Sequence, residues 1–319
     1  MSSLISSISV VIATRNRGDR VTDTVDSVLN NKSDTPLTFE VLVVDQSTNK
    51  DCLQAMQKYK NDPRVRYQQT TTTGMARARN MAIAQAHSSL IAVTDDDCIV
   101  PEDWLMSIQA AFQTRPDVAI LFGNVLPAEF DASRGFIPSY RRERENTVSS
   151  PLSKNDIDGI GACMALRREV WKELGGFDEM LGAGGVLKSS SEGDLVIHAL
   201  HRGYQICELP TVSVVHHGFR TWEEGEGLIA RYWYGTGAMY GKHLKLYPIA
   251  TFATLALLGY RWAFGRSRVA ESWGGDKRKR ERLKAFVSGF DSGLWTRVDR
   301  TTGHFKPDRS KAKAMVYEF

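Results

Sequence analysis

The chain has 319 residues, 42% hydrophobic and 24% charged, with a net charge of +4. These values exclude collagen, coiled-coil and largely disordered readings, and the length allows one large or two ordinary domains with a sizeable core. Four cysteines without a C-x-x-C spacing exclude a disulfide scaffold or a zinc knuckle, and they fit a reducing compartment.

The first 125 residues alternate strand and helix signals. Ile8–Ala13 is a short β-branched run that reads as a buried strand. Val25, Val28 and Leu29 in Asp23–Leu29 have helical spacing. Strands follow at Phe39–Val44, Val65–Tyr67, Leu90–Val93 and Val118–Phe122, and helices at Leu53–Tyr59, Gly74–Ala86 and Pro101–Phe112. Strands separated by helices of this length are βαβ units, so the sequence predicts a mostly parallel α/β sheet flanked by helices. Ligands of such sheets bind beyond the carboxyl ends of the strands. Three strands end there in polar or acidic residues: Thr14-Arg15-Asn16, Asp45, and Asp95-Asp96-Asp97. No G-x-G-x-x-G follows the first strand and no P-loop signature occurs, which argues against a dinucleotide enzyme or a P-loop ATPase.

Residues 127–158 are polar and irregular and read as a mobile loop or insertion. Apolar structure resumes at Gly159–Leu166, followed by helices Arg168–Leu174 and Glu192–His201 and strands Gln205–Glu208 and Val212–His216. Two long helical stretches, Glu223–Leu244 and Pro248–Phe264, come next, then a basic segment opening at Lys277 and a tail from Thr301. From Arg261 onward there are 15 Lys/Arg against 7 Asp/Glu, so the first 260 residues are mildly acidic and the end is basic. Such a tail suits a phosphate-rich or membrane-surface partner.

Three adjacent carboxylates at a strand tip repel one another unless a cation or hydrogen-bond donors neutralise them. Hard oxygen ligands suit Mg²⁺ or Mn²⁺ holding a substrate phosphate, whereas the plainer reading is a solvated acidic turn capping the next helix. Asp45 has a simple role in turn chemistry with Gln46 and Ser47, and a functional one as acceptor from a base or ribose. Arg77 and Arg79 are either solvated helix residues or fork donors near phosphate or base.

The strand ending Ser9-Val-Val-Ile-Ala-Thr-Arg-Asn16, together with Glu40–Thr48, resembles the opening of the family 2 glycosyltransferases, which have the GT-A fold. Gly74-Met-Ala-Arg-Ala-Arg79-Asn80, Val93–Asp97 with Pro101 and Trp104, Trp171–Glu179, and Glu192-Gly-Asp194-Leu195 with Arg202-Gly-Tyr204 resemble further motifs of that family in the expected order. The resemblance ends near Arg220. It implies a GT-A catalytic domain over 1–220, with a nucleotide-binding half (1–125) and an acceptor-binding half (126–220). A helical C-terminal extension (221–300) and a tail (301–319) would follow.

The resemblance also implies inverting transfer from a nucleotide-diphospho-sugar, UDP-linked by family habit, to a hydroxyl-bearing glycan, glycolipid or small-molecule acceptor, with Mn²⁺ or Mg²⁺ and without nucleic acid. Thr14, Arg15, Asp45, Arg79, Asp95 and Asp96 would hold the donor, and Asp97 would ligate the metal. His216 or His217 would add a contact to metal or diphosphate; by strand alternation one of the pair points inward. Gly161, Ala162, Asp178 and Glu179 would line the acceptor side. The family's catalytic carboxylate falls on Glu192 when anchored on Asp194-Leu195, but on Gly193 when anchored one residue earlier. Glu192 is the expected general base, with Asp194 the fallback or a structural partner at the helix start.

Arg231-Tyr-Trp-Tyr-Gly235 lacks the Q-x-x-R-W signature of processive synthases, so single addition is expected. The run Ile249–Leu258 is too short to span a bilayer. It reads as a buried helix or, with flanking Lys242, Lys245, Arg261, Arg266 and Arg268, as a peripheral membrane contact. No secretory leader is visible, so a cytoplasmic location is expected, at the inner face of the membrane under the second reading. Two alternatives remain: a nucleotidyltransferase or sugar-nucleotide pyrophosphorylase, for which Thr14–Gly18 is a poor triphosphate loop, and a degenerate nucleotide-sugar-binding protein, which Gly193 keeps open.

Overall fold

In the computed structural model, residues 5–33, 37–264 and 279–307 are described. The first half runs β1 (Ser7–Thr14), α1 (Arg20–Leu29), β2 (Thr38–Asp45), α2 (Asp51–Met56), β3 (Val65–Gln69), α3 (Met75–Gln85), β4 (Leu90–Asp95), β5 (Cys98–Ile99), α4 (Trp104–Thr114) and β6 (Val118–Pro127). The second half contains β7 (Gly135–Phe136), β8 (Asn146–Val148), β9 (Cys163–Arg167), α5 (Arg168–Glu173), α6 (Ser191–His201), β10 (Gln205–His216) and β11 (Arg220–Thr221). The helices α7 (Trp222–Leu246), α8 (Pro248–Phe264) and α9 (Lys279–Trp295) complete it.

Among the described residues, nine strands form one sheet in the order β3-β2-β1-β4-β9-β6-β10-β5, with β8 on β10. The strands β3, β2, β1 and β4 are mutually parallel. β9 then inserts antiparallel between β4 and β6. This is the expected α/β sheet flanked by helices, with one reversed strand at its centre.

Strand alternation explains the two cores. Ile8, Val10 and Ile12 of β1 and Val41 and Val43 of β2 face Val21, Val25 and Val28 of α1 and Trp104, Leu105 and Ile108 of α4. Val11, Leu42, Val44, Ile91 and Val93 point the other way, onto Ala76, Ala82 and Ile83 of α3 and Leu195, Val196 and Ala199 of α6. Their apolar residues recur one helical turn apart, so each helix buries a single stripe.

Several expectations change in detail. The strands expected at 205–208 and 212–216 are one strand, β10, whose register breaks between Leu209 and Ser213; Pro210, which has no N–H to donate, sits in that irregularity. The stretch 127–158, expected as a mobile loop, contains β7, β8 and a 3-10 turn at Pro151–Asp156. Residues 301–307, expected within a tail, turn back on the fold: Phe305 is buried and its N–H donates to Asp178 at 2.8 Å. Lys277, Arg278, Arg266, Arg268 and the chain from 308 lie outside the described residues.

α7 packs against α9 through glycines. A β-carbon at Gly237 would lie 2.0 Å from the Phe286 carbonyl oxygen, and one at Gly293 2.1 Å from that of Ala238. Gly241 and Gly289 make equally close approaches, so the two backbones touch with no side chain between them.

Candidate active site

Register brings the strand ends together. Thr14 lies opposite Asp45 and Ala13 opposite Asp95, so the C-terminal tips of β2, β1 and β4 form one ledge. Thr14 is buried there, and its carbonyl accepts from the Gln46 N–H at 2.9 Å. Arg15 is half-buried beside it.

Separate cations neutralise the three carboxylates. Arg79 donates to Asp95 at 2.9 Å, Arg17 approaches Asp96 at 3.5 Å, and Asp97 receives Arg17 at 3.0 Å and faces His216 Nε2 at 3.1 Å. Burial pushes the Asp96 carboxyl up to about 6, against the pull of Arg17. Asp97 is held below the usual carboxylate range because His216 and Arg17 outweigh its burial. Burial raises the Asp95 carboxyl, with Arg79 countering only part of it.

Arg79 is the centre of the site. It is 1% exposed, and its guanidinium reaches Asp95, the Glu192 carboxylate and the Gly161 carbonyl oxygen (3.3 Å). A planar fork reaches Glu192 through one nitrogen and Asp95 and Gly161 through the other, a span that the single nitrogen of an ammonium does not cover. The expectation that Arg79 holds the donor is therefore corrected: both terminal nitrogens of its guanidinium are bonded to protein oxygens. Glu192 stands in the first turn of α6, bonded also to Ser191 Oγ at 2.9 Å. Although burial opposes it, Arg79 holds the Glu192 carboxyl below its ordinary value, so it is ionised at neutral pH. A β-carbon at Gly161 would lie 2.3 Å from Glu192 Oε1, so glycine leaves the space in which this carboxylate sits. Ala162 follows, its carbonyl accepting from Thr94 Oγ1 at 2.9 Å.

Asp45 adopts the turn role. It is fully buried, with one oxygen accepting from Tyr67 OH at 2.6 Å and the other from the Ser47 N–H at 2.8 Å. Glu179 lies at the surface, accepting from Arg77 at 2.7 Å. Asp178 lies away from the acceptor side expected for it, and Asp194 takes the structural place rather than the fallback one. Both are 1% exposed, and Lys242 Nζ donates to each at 2.8 Å; His243 Nε2 is also 2.8 Å from Asp194. With its oxygens so occupied, Asp194 is an anchor for α6 and offers no carboxylate to an acceptor, and Asp178 belongs to the same buried cluster.

The pair Asp97 and His216 fits a divalent cation. His216 Nδ1 lies 2.7 Å from the Pro138 carbonyl, which can only accept, so Nδ1 carries the proton and Nε2 presents its lone pair toward Asp97 when the ring is neutral. Without a cation, Asp97 raises the pKa of His216 against the effect of burial. A β-carbon at Gly218 would lie 2.5 Å from His216 Nε2 and 2.8 Å from Asp97 Oδ2, so glycine keeps this pair open. Cys98 lies within ligand spacing, but burial pushes its thiol well above normal and keeps it protonated. His217 is exposed, as alternation requires if His216 points inward.

Residues 9–175 match the profile of Glycosyl transferase family 2. The chain is 26% identical over 226 residues to the O-antigen biosynthesis protein RfbC of Myxococcus xanthus, a match covering 66% of this chain and 17% of that protein. It is 31% identical over 105 residues to the poly(ribitol-phosphate) beta-N-acetylglucosaminyltransferase TarS of Staphylococcus aureus, covering 32% of this chain and 18% of TarS. The matched part thus spans less than a fifth of these curated relatives. Among solved structures, residues 1–349 of S. aureus TarS in complex with UDP-GlcNAc superpose with a TM-score of 0.62 at 19% identity, over 90% of this chain and 84% of that one. The mannosyltransferase PcManGT of Pyrobaculum calidifontis, in complex with GDP-Man and Mn2+, gives 0.57 at 18% identity over 90% and 87%.

Proposed function

Because the chain belongs to glycosyl transferase family 2, we propose that it moves a sugar, with inversion, from a UDP-linked donor to a hydroxyl of a glycan or lipid-linked glycan. The observation that carries the reading is the Asp95–Arg79–Glu192 bridge, which sets an ionised carboxylate against the acidic tip of β4. An inverting displacement needs a base on the face of the sugar opposite the leaving group. Glu192, ionised and aimed by Arg79 and Ser191, takes the proton of the attacking hydroxyl. The departing nucleoside diphosphate lies along the ledge of Thr14, Asp95 and Asp96, with Arg15 beside it. Asp97 and His216 hold Mn²⁺ or Mg²⁺, which when bound supplies positive charge to the leaving diphosphate. The relatives' names, O-antigen biosynthesis and a poly(ribitol-phosphate) transferase, favour a glycan acceptor. With no processive signature at Arg231–Gly235, one sugar is added per encounter.

The test is a thermal-shift panel of UDP- and GDP-sugars with and without Mn²⁺. A ligand that binds only the native state at about a hundred times its Kd adds about 2.7 kcal/mol of stability. A metal-enhanced shift with a sugar nucleotide, accompanied by slow release of the nucleoside diphosphate, supports the reading. The absence of a shift with any nucleoside diphosphate would overturn it.

A further inference from the structure

The helix α8 is apolar on its outer side as well as its inner one. Inward, Leu255 and Leu258 pack on the cluster of Ile197, Met239 and Tyr240, and Thr251 and Thr254 are buried, Thr254 Oγ1 donating to the Ala250 carbonyl at 2.8 Å and the Thr254 carbonyl accepting from Asn155 Nδ2 at 3.2 Å. Its outward side carries Ile249, Phe252 and Tyr260, which are 87%, 70% and 65% exposed, with Leu257 between them. No charged residue occurs from 248 to 260. A helix resting on a globular body normally turns charged residues outward, opposite its apolar stripe. A contiguous apolar face of this kind marks a surface that is covered when the protein works.

The charge pattern identifies the cover. Directly after this face, residues 261–284 hold nine Lys/Arg against three Asp/Glu. On α9 the exposed cations Lys279, Arg280 and Lys284 alternate with the exposed apolar Leu283 and Val287, repeating the combination. Apolar side chains next to a dense run of cations match the acyl boundary and phosphate headgroups of an anionic bilayer, where each Lys or Arg strengthens binding and stems can lie along the apolar layer. No described helix is long and apolar enough to cross a membrane, so α8 would lie along the surface.

We propose that the outer face of α8, with the exposed cations Lys279, Arg280 and Lys284 of α9, docks the protein on an anionic membrane surface. This is independent of the transfer reading.

The full chain is centrifuged with sucrose-loaded vesicles of phosphatidylcholine, with and without phosphatidylglycerol, at low and at high salt. It should pellet with the anionic vesicles at low salt and return to the supernatant at high salt, where the headgroup attraction is screened. The double variant Ile249→Glu/Phe252→Glu should lower the partition coefficient by about tenfold or more, at unchanged melting temperature because both side chains are already in water. The variant Lys279→Gln/Arg280→Gln/Lys284→Gln should lose the preference for anionic vesicles over neutral ones. Wild-type protein that stays in solution with anionic vesicles, or a double variant that pellets like wild type, would overturn the proposal. So would a lipid-free dimer, seen by light scattering, that the same double variant abolishes, because a second copy would then cover the face.

Discussion

Lys242 is fully buried, and its ammonium lies 2.8 Å from the carboxylate of Asp194, two residues after Glu192 on α6. The same ammonium bonds Asp178, so one cation of α7 ties α6 to the segment that follows α5. Removing one partner of a buried ion network leaves uncompensated charge and costs about 3–5 kcal/mol. Lys242→Met should lose stability in that range in urea titration. A loss below about 1 kcal/mol would show that the cluster is not held by this cation.

His198 gives the fold an acid limit. Burial presses its pKa down to about 3, with Asp194 only partly opposing. An unfolded chain binds the proton near pH 6.5, whereas the native ring does not until about pH 3. Between those values the unfolded state holds more protons, so stability falls as pH is lowered, by at most about 1.4 kcal/mol per unit for this group. Melting temperature should therefore decline from pH 6.5 to pH 4, and His198→Asn should flatten the decline. Equal slopes in the two proteins would remove His198 as the cause.

The parts of this architecture that depend on local pattern were legible in the sequence. β1, β2 and β4 are β-branched runs, and Val25 and Val28 of the expected stripe are buried in α1, because periodicity is a property of neighbours; Val21, also buried, lies before the expected helix start. The acidic tip of β4 is likewise a run of neighbours, whereas Glu192 was singled out only by the resemblance of Glu192-Gly-Asp194-Leu195 to a family motif. The role of Arg79 was not legible: its partner Glu192 is 113 residues away, and an arginine on an Ala-rich helix reads equally as solvated. Arg17 was read only within a poor phosphate loop, and its pairing with Asp97 spans 80 residues. Lys242 and His243 lie in a helix whose partners Asp178 and Asp194 are 48 to 64 residues away in the chain. The one local sign was Gly237 and Gly241, four apart, marking the side where backbones meet.

Those glycines allow two opposing terms to be compared. Replacing a helical glycine by alanine gains about 1 kcal/mol of propensity. At Gly293 the new β-carbon would lie 2.1 Å from the Ala238 carbonyl oxygen, a backbone atom that cannot swing aside. Overpacking of this kind costs about 1–3 kcal/mol, so Gly293→Ala should be destabilising on balance. At Gly259 no atom lies within 4 Å, and Gly259→Ala should gain stability instead. Urea midpoints of opposite sign are expected. A Gly293→Ala variant more stable than wild type would mean that α7 and α9 do not approach this closely.

The site makes its own kinetic prediction through Arg79. Glu192→Gln should leave nucleotide binding intact and lower kcat by about 10²-fold or more, as for loss of a general base. Asp97→Asn should do the reverse, weakening metal-dependent nucleotide binding first. Arg79→Lys separates these roles. One ammonium cannot reach Asp95, Glu192 and the Gly161 carbonyl together, so Glu192 loses part of the charge that holds its pKa down. Its carboxyl then protonates at higher pH, and the acid limb of the kcat profile should move upward relative to wild type, while the affinity for the nucleoside diphosphate changes little. If the limb stays in place and kcat is merely scaled down at every pH, Arg79 shapes the pocket without tuning the base.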